Sequence, residues 1–385
     1  MNKLDTAFAS LFETNMAVRP AERIVVFSDI IRPDETPSSV DADRRQRLLE
    51  VAEKGAAIAG SRYGNATFVS FPATQASGAE PPEILWKTVL GNGPVERLAM
   101  EGILQRLLVK EGTAQDLERA RELVLAAAEG VADVVIALSN NSTSHTRFRS
   151  LVNLAGGRFA SLPNFDPDMF FSSMMVDWQA LAERTARLAD YVNSGTELRL
   201  ETPNGTRMNF GKSGRIAKGD DGLLSKPGSF GNLPAGEVYL APMEGTSSGV
   251  MVIEYAPTRK LASPLRLVVE KGIVTEIHGD EPYRLKLEQK FAESPANRNI
   301  AELGIGTNDK ATRPDNILEA EKILGTIHIA LGDNSGFGGT VSTPFHEDYV
   351  FYRPTLTAVQ ANGSERIVLS DGAPLFMQSP APGEI

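Results

Sequence analysis

"RIVVFSD" (Arg23–Asp29), "VDADRRQRLLEVAEKGAAIAG" (Val40–Gly60) and "NATFVSFPA" (Asn65–Ala73) follow one another near the start of the chain. The outer two are short runs rich in β-branched and aromatic residues, the pattern of buried strands. The middle one repeats apolar residues at helical spacing and puts Leu48, Val51, Ala52 and Ala56 on one face behind an aspartate cap. Strands joined through a helix run parallel, because the helix carries the chain back to the starting edge. "TAQDLERARELVLAAAEGVADVVIALS" (Thr113–Ser139) repeats the scheme with a threonine cap, an amphipathic helix, a stop at Gly130 and another strand. Residues 1–194 are therefore expected to form an open α/β domain with a mostly parallel sheet, whose strand ends offer a ligand site.

The texture changes after the helix "DWQALAERTARLADYVN" (Asp177–Asn193). "TELRLETPNGTRMNF", "LRLVVEKGIVTEIHG" and "LTAVQANGSERIVLSDG" turn at Asn204-Gly205, Lys271-Gly272 and Asn362-Gly363, pairs suited to the positive φ of tight hairpins. Residues 195–385 are expected to be a mostly β (α+β) domain. "TQASGAEPPEILWKTVLGNGPVERLAMEGILQRLLVKEG" (Thr74–Gly112) is a helical insertion suited to a dimer contact or a lid.

Composition narrows the chemistry. The 385 residues are 42% hydrophobic and 23% charged, a soluble globular balance long enough for two cores. A net charge of -10 disfavours nucleic acid and anionic membrane surfaces and suits a protein that holds divalent cations. With no cysteine, disulfides and thiolate nucleophiles are excluded, and any metal must sit on His, Asp and Glu. No apolar run reaches membrane-spanning length and the amino terminus lacks a signal-peptide core, so a cytoplasmic setting is expected.

Only four histidines occur, and two fall in "LGTIHIALGDNSGFGGTVSTPFHEDYV" (Leu324–Val350). His328 lies inside an apolar strand; His346 and Asp348 are two apart on another, so they share a face. Glu302 interrupts the strand "IAELGIGTN", and Glu237 opens "GEVYLAP". Each has a plainer reading: His328 as a hydrogen-bonded core residue, Glu237 as an exposed strand end. Together, buried carboxylates and imidazoles require a compensating charge, and a divalent cation such as zinc, manganese, cobalt or ferrous iron supplies one. The glycine-rich "GDNSGFGG" is not a phosphate loop, because it lacks the Lys-Ser/Thr pair and a following long helix.

"NLPAGEVYLAP", "AELGIGTN", "EKILGTIHIALGDN" and the His-x-Asp of "HEDYV" stand in the order of the aminopeptidase T family, the M29 metallopeptidases, and the chain resembles that family along most of its length. The resemblance implies two divalent ions held by Glu237, Glu302, His328, His346 and Asp348, with Glu302 bridging. It also implies a homodimer and a water-activating hydrolysis of peptide N-termini. Where that family carries a tyrosine after the "HIALG" segment, this chain has Ser335, and Tyr349 or Tyr352 is the expected substitute.

"SNNSTSHTRFRSLVNLAGGRFASLP" (Ser139–Pro163) resembles a segment of the 2,5-dihydroxypyridine dioxygenases, relatives that hold one ferrous iron by two histidines and an aspartate and open an aromatic ring. His145 in that segment is expected either as an acid or base or as a neighbour of a helix cap. Arg147 and Arg149 are candidates for a substrate carboxylate or for a solvated helix face. His278 is expected at the surface. A noncatalytic metal- or ligand-binding module is the third alternative. The expected partners are a peptide or small-molecule substrate and a second copy, with no nucleic acid and no membrane.

Overall fold

The computed structural model describes residues 3–257 and 259–377. The chain forms two compact units, one made of residues up to Met175 together with Gly222–Pro234, the other of Val176–Asp221 and the residues from Ala235 onward.

The first unit is built on a five-stranded parallel sheet in the order Ala66–Pro72, Ile24–Ile30, Val134–Leu138, Arg158–Ser161, Phe230–Asn232. All five residues of Val134–Leu138 are buried, as a parallel strand covered on both faces requires. Helix Ser39–Tyr63 buries Leu48, Ala52 and Ala56 as expected, but its cap is Ser38, which accepts the Asp41 N–H at 3.2 Å. Thr113 caps Ala114–Leu125 in a reciprocal box with Asp116, an arrangement worth about 1 kcal/mol. The insertion after Thr74 is no detached lid. Its helices Glu83–Leu90, Asn92–Met100 and Ile103–Leu108 deliver Leu85, Trp86, Val89, Leu98 and Leu107 to this unit's core.

The second unit holds two antiparallel sheets. The larger has eight strands ordered Ile273–His278, Arg259–Glu270, Ser248–Ala256, Arg207–Gly211, Glu197–Glu201, Thr355–Val359, Glu365–Ser370, Ala373–Pro374. All three expected hairpins are present, with Gly205, Gly272 and Gly363 at φ +97°, +79° and +82°. The smaller sheet is ordered His346–Phe351, Ile327–Gly332, Ile300–Gly306, Glu237–Leu240, Lys218–Asp220. One face of it, with Val238, Leu240, Leu303, Ile305, Ile327, Ile329 and Leu331, joins Leu198, Phe210, Ile253 and Leu265 of the larger sheet in one apolar cluster.

The division differs from the expected boundary after residue 194 in two places. Helix Trp178–Asn193 belongs to the second unit, where Leu188 and Tyr191 enter its core and Thr185 shares a 2.8 Å hydrogen bond with Thr307. Gly222–Pro234 returns to the first unit to supply the fifth parallel strand. Among the described residues, no helix is long and apolar enough to cross a membrane.

Candidate metal centre

Pairing register places the functional side chains on the other face of the smaller sheet. Glu237 pairs with Gly306, Gly304 with His328, Glu302 with Ala330, Ala330 with Asp348 and Gly332 with His346. Directly paired residues point the same way, so Glu237, Glu302, His328, His346 and Asp348 all project from one face. The structure thus brings together all five residues singled out as ligands.

Their separations suit a shared cation. His328 Nε2 lies 3.2 Å from Glu237 Oε2 and 3.6 Å from Glu302 Oε1. His346 Nε2 lies 3.5 Å from Glu302 Oε2 and 3.6 Å from Asp348 Oδ2. The three contacts at 3.5 Å or more are too long for good hydrogen bonds. Two donors each about 2.1 Å from one ion, at tetrahedral or octahedral angles, stand roughly 3.0–3.4 Å apart. His328 Nδ1 is moreover buried without a hydrogen-bond partner, a state that is costly unless something else compensates it. Three overlapping donor trios result: Glu237, Glu302 and His328; Glu302, His346 and Asp348; Glu321, His328 and Asp348.

Backbone geometry fixes one imidazole. His346 Nδ1 lies 2.8 Å from the Asp333 carbonyl oxygen, so Nδ1 carries a proton and Nε2, once deprotonated, turns its lone pair to the acids. The His328 ring lies over Gly304, where a Cβ would fall 1.9 Å from Nε2. Gly304→Ala is therefore expected to displace this imidazole and lower metal affinity at least about tenfold with the fold retained. Full metal content in that variant, measured beside its melting curve, would remove His328 from the binding set.

The least anticipated member is Lys322. Only 2% exposed, its ammonium lies 2.6 Å from Glu237 Oε1 and 2.9 Å from Glu321 Oε1. Burial by itself lifts the Glu237 carboxyl, but Lys322 and then His328 outweigh it and hold it at about 2. Burial dominates at Glu321 and pushes that carboxyl up to about 7. Burial alone would lower the Lys322 ammonium; Glu237 and Glu321 reverse this and keep it charged.

Tyr349 does not project from the donor face. One residue from Asp348 on a strand, it points to the apolar face, where its hydroxyl donates to Glu347 Oε1 at 2.6 Å and lies 3.2 Å from the Tyr283 hydroxyl. Tyr352 packs on Tyr255, with ring centroids 5.3 Å apart, and Ser335 is exposed and bonded to Asp333. His145 belongs to the first unit, where it is exposed just before Thr146, which caps the following helix. Arg149 serves the fold: it donates to the Ser144 carbonyl and covers the Phe230 ring at 4.3 Å. Arg147 Nη2 donates to the Gly112 carbonyl, and His278 is exposed beside Glu276. The donor face instead carries a phenol that sequence reasoning passed over. Tyr239 pairs with Gly304, and burial, followed by the charges of Asp220, Glu237 and Glu302, pushes its hydroxyl up to about 12.

Residues 102–359, more than half of the chain, match the family model of NicX, 2,5-dihydroxypyridine 5,6-dioxygenase. The chain belongs to this family. Its fold is also similar to the solved 2,5-dihydroxypyridine dioxygenase of Pseudomonas putida KT2440, at a TM-score of 0.64 and 18% identity over 99% of this chain and 98% of that one. A second likeness is to wild-type AmpT of Thermus thermophilus, at a TM-score of 0.55 and 13% identity over 97% and 99%. Identities this low establish a shared fold alone. No curated protein matches the chain.

Proposed function

We propose that this NicX-family chain is a non-haem ferrous dioxygenase that opens a dihydroxylated N-heteroaromatic ring of the 2,5-dihydroxypyridine kind. The observation that carries the reading is the buried Lys322 ammonium. It pairs with Glu237 and Glu321, which leaves Glu302, His346 and Asp348 as one donor trio, with His328 on the other side of Glu302, for one ion. Two imidazoles and one carboxylate are the donor set of ferrous oxygenases. Iron held there would supply activation of dioxygen and of the bound ring. Glu302 is placed to take a proton from a ring hydroxyl, since its two oxygens lie toward the two imidazoles. Gly304 gives the His328 ring its seat, and the Asp333 carbonyl holds His346 in its ligating tautomer. The test is turnover: chain loaded anaerobically with ferrous iron should consume oxygen and 2,5-dihydroxypyridine in equal amounts. Loss of neither on mixing would refute the assignment.

A second reading, hydrolysis of peptide N-termini by two ions such as zinc, cobalt or manganese, draws on one specific feature. Glu302 belongs to two of the trios, as a bridging carboxylate would. Against it stand the engagement of Glu237 by Lys322 and the absence of a phenol at the position after His328. Hydrolysis of aminoacyl anilides by manganese- or zinc-loaded chain would favour it.

Both readings share a pH dependence. Burial lowers the His346 imidazole pKa, but Asp348 and Glu302 together raise it above the usual value; His328, beside Glu237 and Glu302, is raised further. Each must lose a proton to bind metal, so affinity falls as pH drops, by up to about tenfold per unit for each proton displaced. In the metal-free chain these raised values stabilise the fold below the unfolded value of 6.5, and the contribution is lost as pH rises through the folded values. The rise in melting temperature on adding metal should therefore grow between about pH 6 and about pH 8. A constant shift across that window would show that neither imidazole is displaced from its proton.

A further inference from the structure

Beside the donors stands an aromatic pair that the metal does not need. Tyr239 projects from the donor face, and its ring meets Phe337 edge-on at 5.8 Å and 75°. Phe337 in turn meets the His346 ring at 6.0 Å and 86°. Both are half-buried, so each ring keeps accessible surface, and the Tyr239 hydroxyl makes no hydrogen bond to any described residue. A phenol rooted among carboxylates yet bonded to none of them is a donor held in reserve.

The turn presenting Phe337 is fixed. Buried Asn334 accepts the Val341 N–H at 2.9 Å and donates to Glu244 Oε1 at 3.1 Å, and the Thr340 N–H reaches the same oxygen at 2.7 Å. Arg215 pairs with the other Glu244 oxygen. Gly339 lies so close to the Asn334 side chain that a Cβ would come within 1.9 Å of it. The glycines of "GDNSGFGG" therefore serve a tight turn that sets an apolar ring at the rim of a strongly polar site.

We propose that Tyr239 and Phe337 form the wall against which this site holds a planar hydroxylated ring, Phe337 giving it an apolar face and Tyr239 donating a hydrogen bond to a ring oxygen. This rests on the ring-opening reading and adds its substrate-binding residues. Aromatic rings favour offset or edge-on neighbours, which is how Phe337 already meets both of its partners. An aliphatic side chain offers Phe337 no planar face to stack on and Tyr239 no ring oxygen to meet.

The test is an anaerobic titration of iron-loaded full-length chain with 2,5-dihydroxypyridine, with leucinamide as the aliphatic control. Tyr239→Phe and Phe337→Ala are each expected to weaken ring binding about tenfold at unchanged iron content, the scale of one hydrogen bond or one stacked face. Phe337→Leu keeps the bulk without the planar face and guards against a collapsed turn; it should hold iron and still bind the ring weakly. Wild-type affinity in all three variants would overturn the wall and leave the ring-opening reading standing. Tighter binding of leucinamide than of the ring by wild-type chain, or no ring binding at all, would overturn both.

Discussion

Lys322→Met is expected to destabilise the metal-free second unit by about 3–5 kcal/mol and to raise metal stoichiometry from one to two per chain. The ammonium is buried between Glu237 and Glu321, and removing one partner of a buried pair leaves the other charge without compensation. Methionine has nearly the same length and fills the space, so a cavity contributes little. The penalty should shrink as pH falls, because protonation relieves the abandoned carboxylates. A divalent ion relieves them too, and Glu237 Oε2 stands 3.2 Å from His328 Nε2 and ready to ligate. Denaturant unfolding with and without manganese measures both effects. Stability within about 1 kcal/mol of wild type together with an unchanged metal count would show that Lys322 does not occupy the second cation's place.

His346→Ala and Asp348→Asn are expected to abolish metal retention, at least about a hundredfold in affinity, without unfolding the chain. These residues sit at the accessible end of the cluster, with His346 33% exposed, so truncation leaves no large void. Asp348 raises the carboxyl pKa values of both Glu302 and Glu321. Metal-free Asp348→Asn should therefore melt at or above the wild-type temperature at alkaline pH, where His346 is neutral and the Asp348–His346 attraction is gone, as expected where function concentrates like charges that the fold alone would avoid. Metal content measured on the same samples decides the matter: wild-type occupancy in either variant would exclude that side chain from the binding set.

That these five side chains share one face was legible because strand alternation and residue chemistry are local. Glu302 and His328 interrupt apolar strands, and a His-x-Asp spacing puts two ligand types on one face. The same alternation argues against Tyr349, which must oppose Asp348 wherever both lie in one strand. Lys322 was not legible, since its meaning depends on a strand far away in sequence that brings Glu237 to it. Tyr239 and Phe337 were hidden for the same reason, one read as a generic strand residue and the other as part of a glycine loop. In the fold, the helix–strand rhythm gave the parallel sheet and the Asn-Gly and Lys-Gly pairs gave the hairpins. The fifth parallel strand did not show, because three residues, Phe230–Asn232, carry no periodicity. Helix Trp178–Asn193 is amphipathic in either unit, and only its tertiary partners place it in the second.

The most direct test of the central claim, that one cation is built into the chain and one is bound, is a metal count. Protein purified without added metal or chelator would be analysed for its elements, then stripped and titrated anaerobically with ferrous iron. The account predicts saturation at one iron per chain. Two tightly held ions per chain would contradict it and point instead to a bridged hydrolytic centre on Glu302.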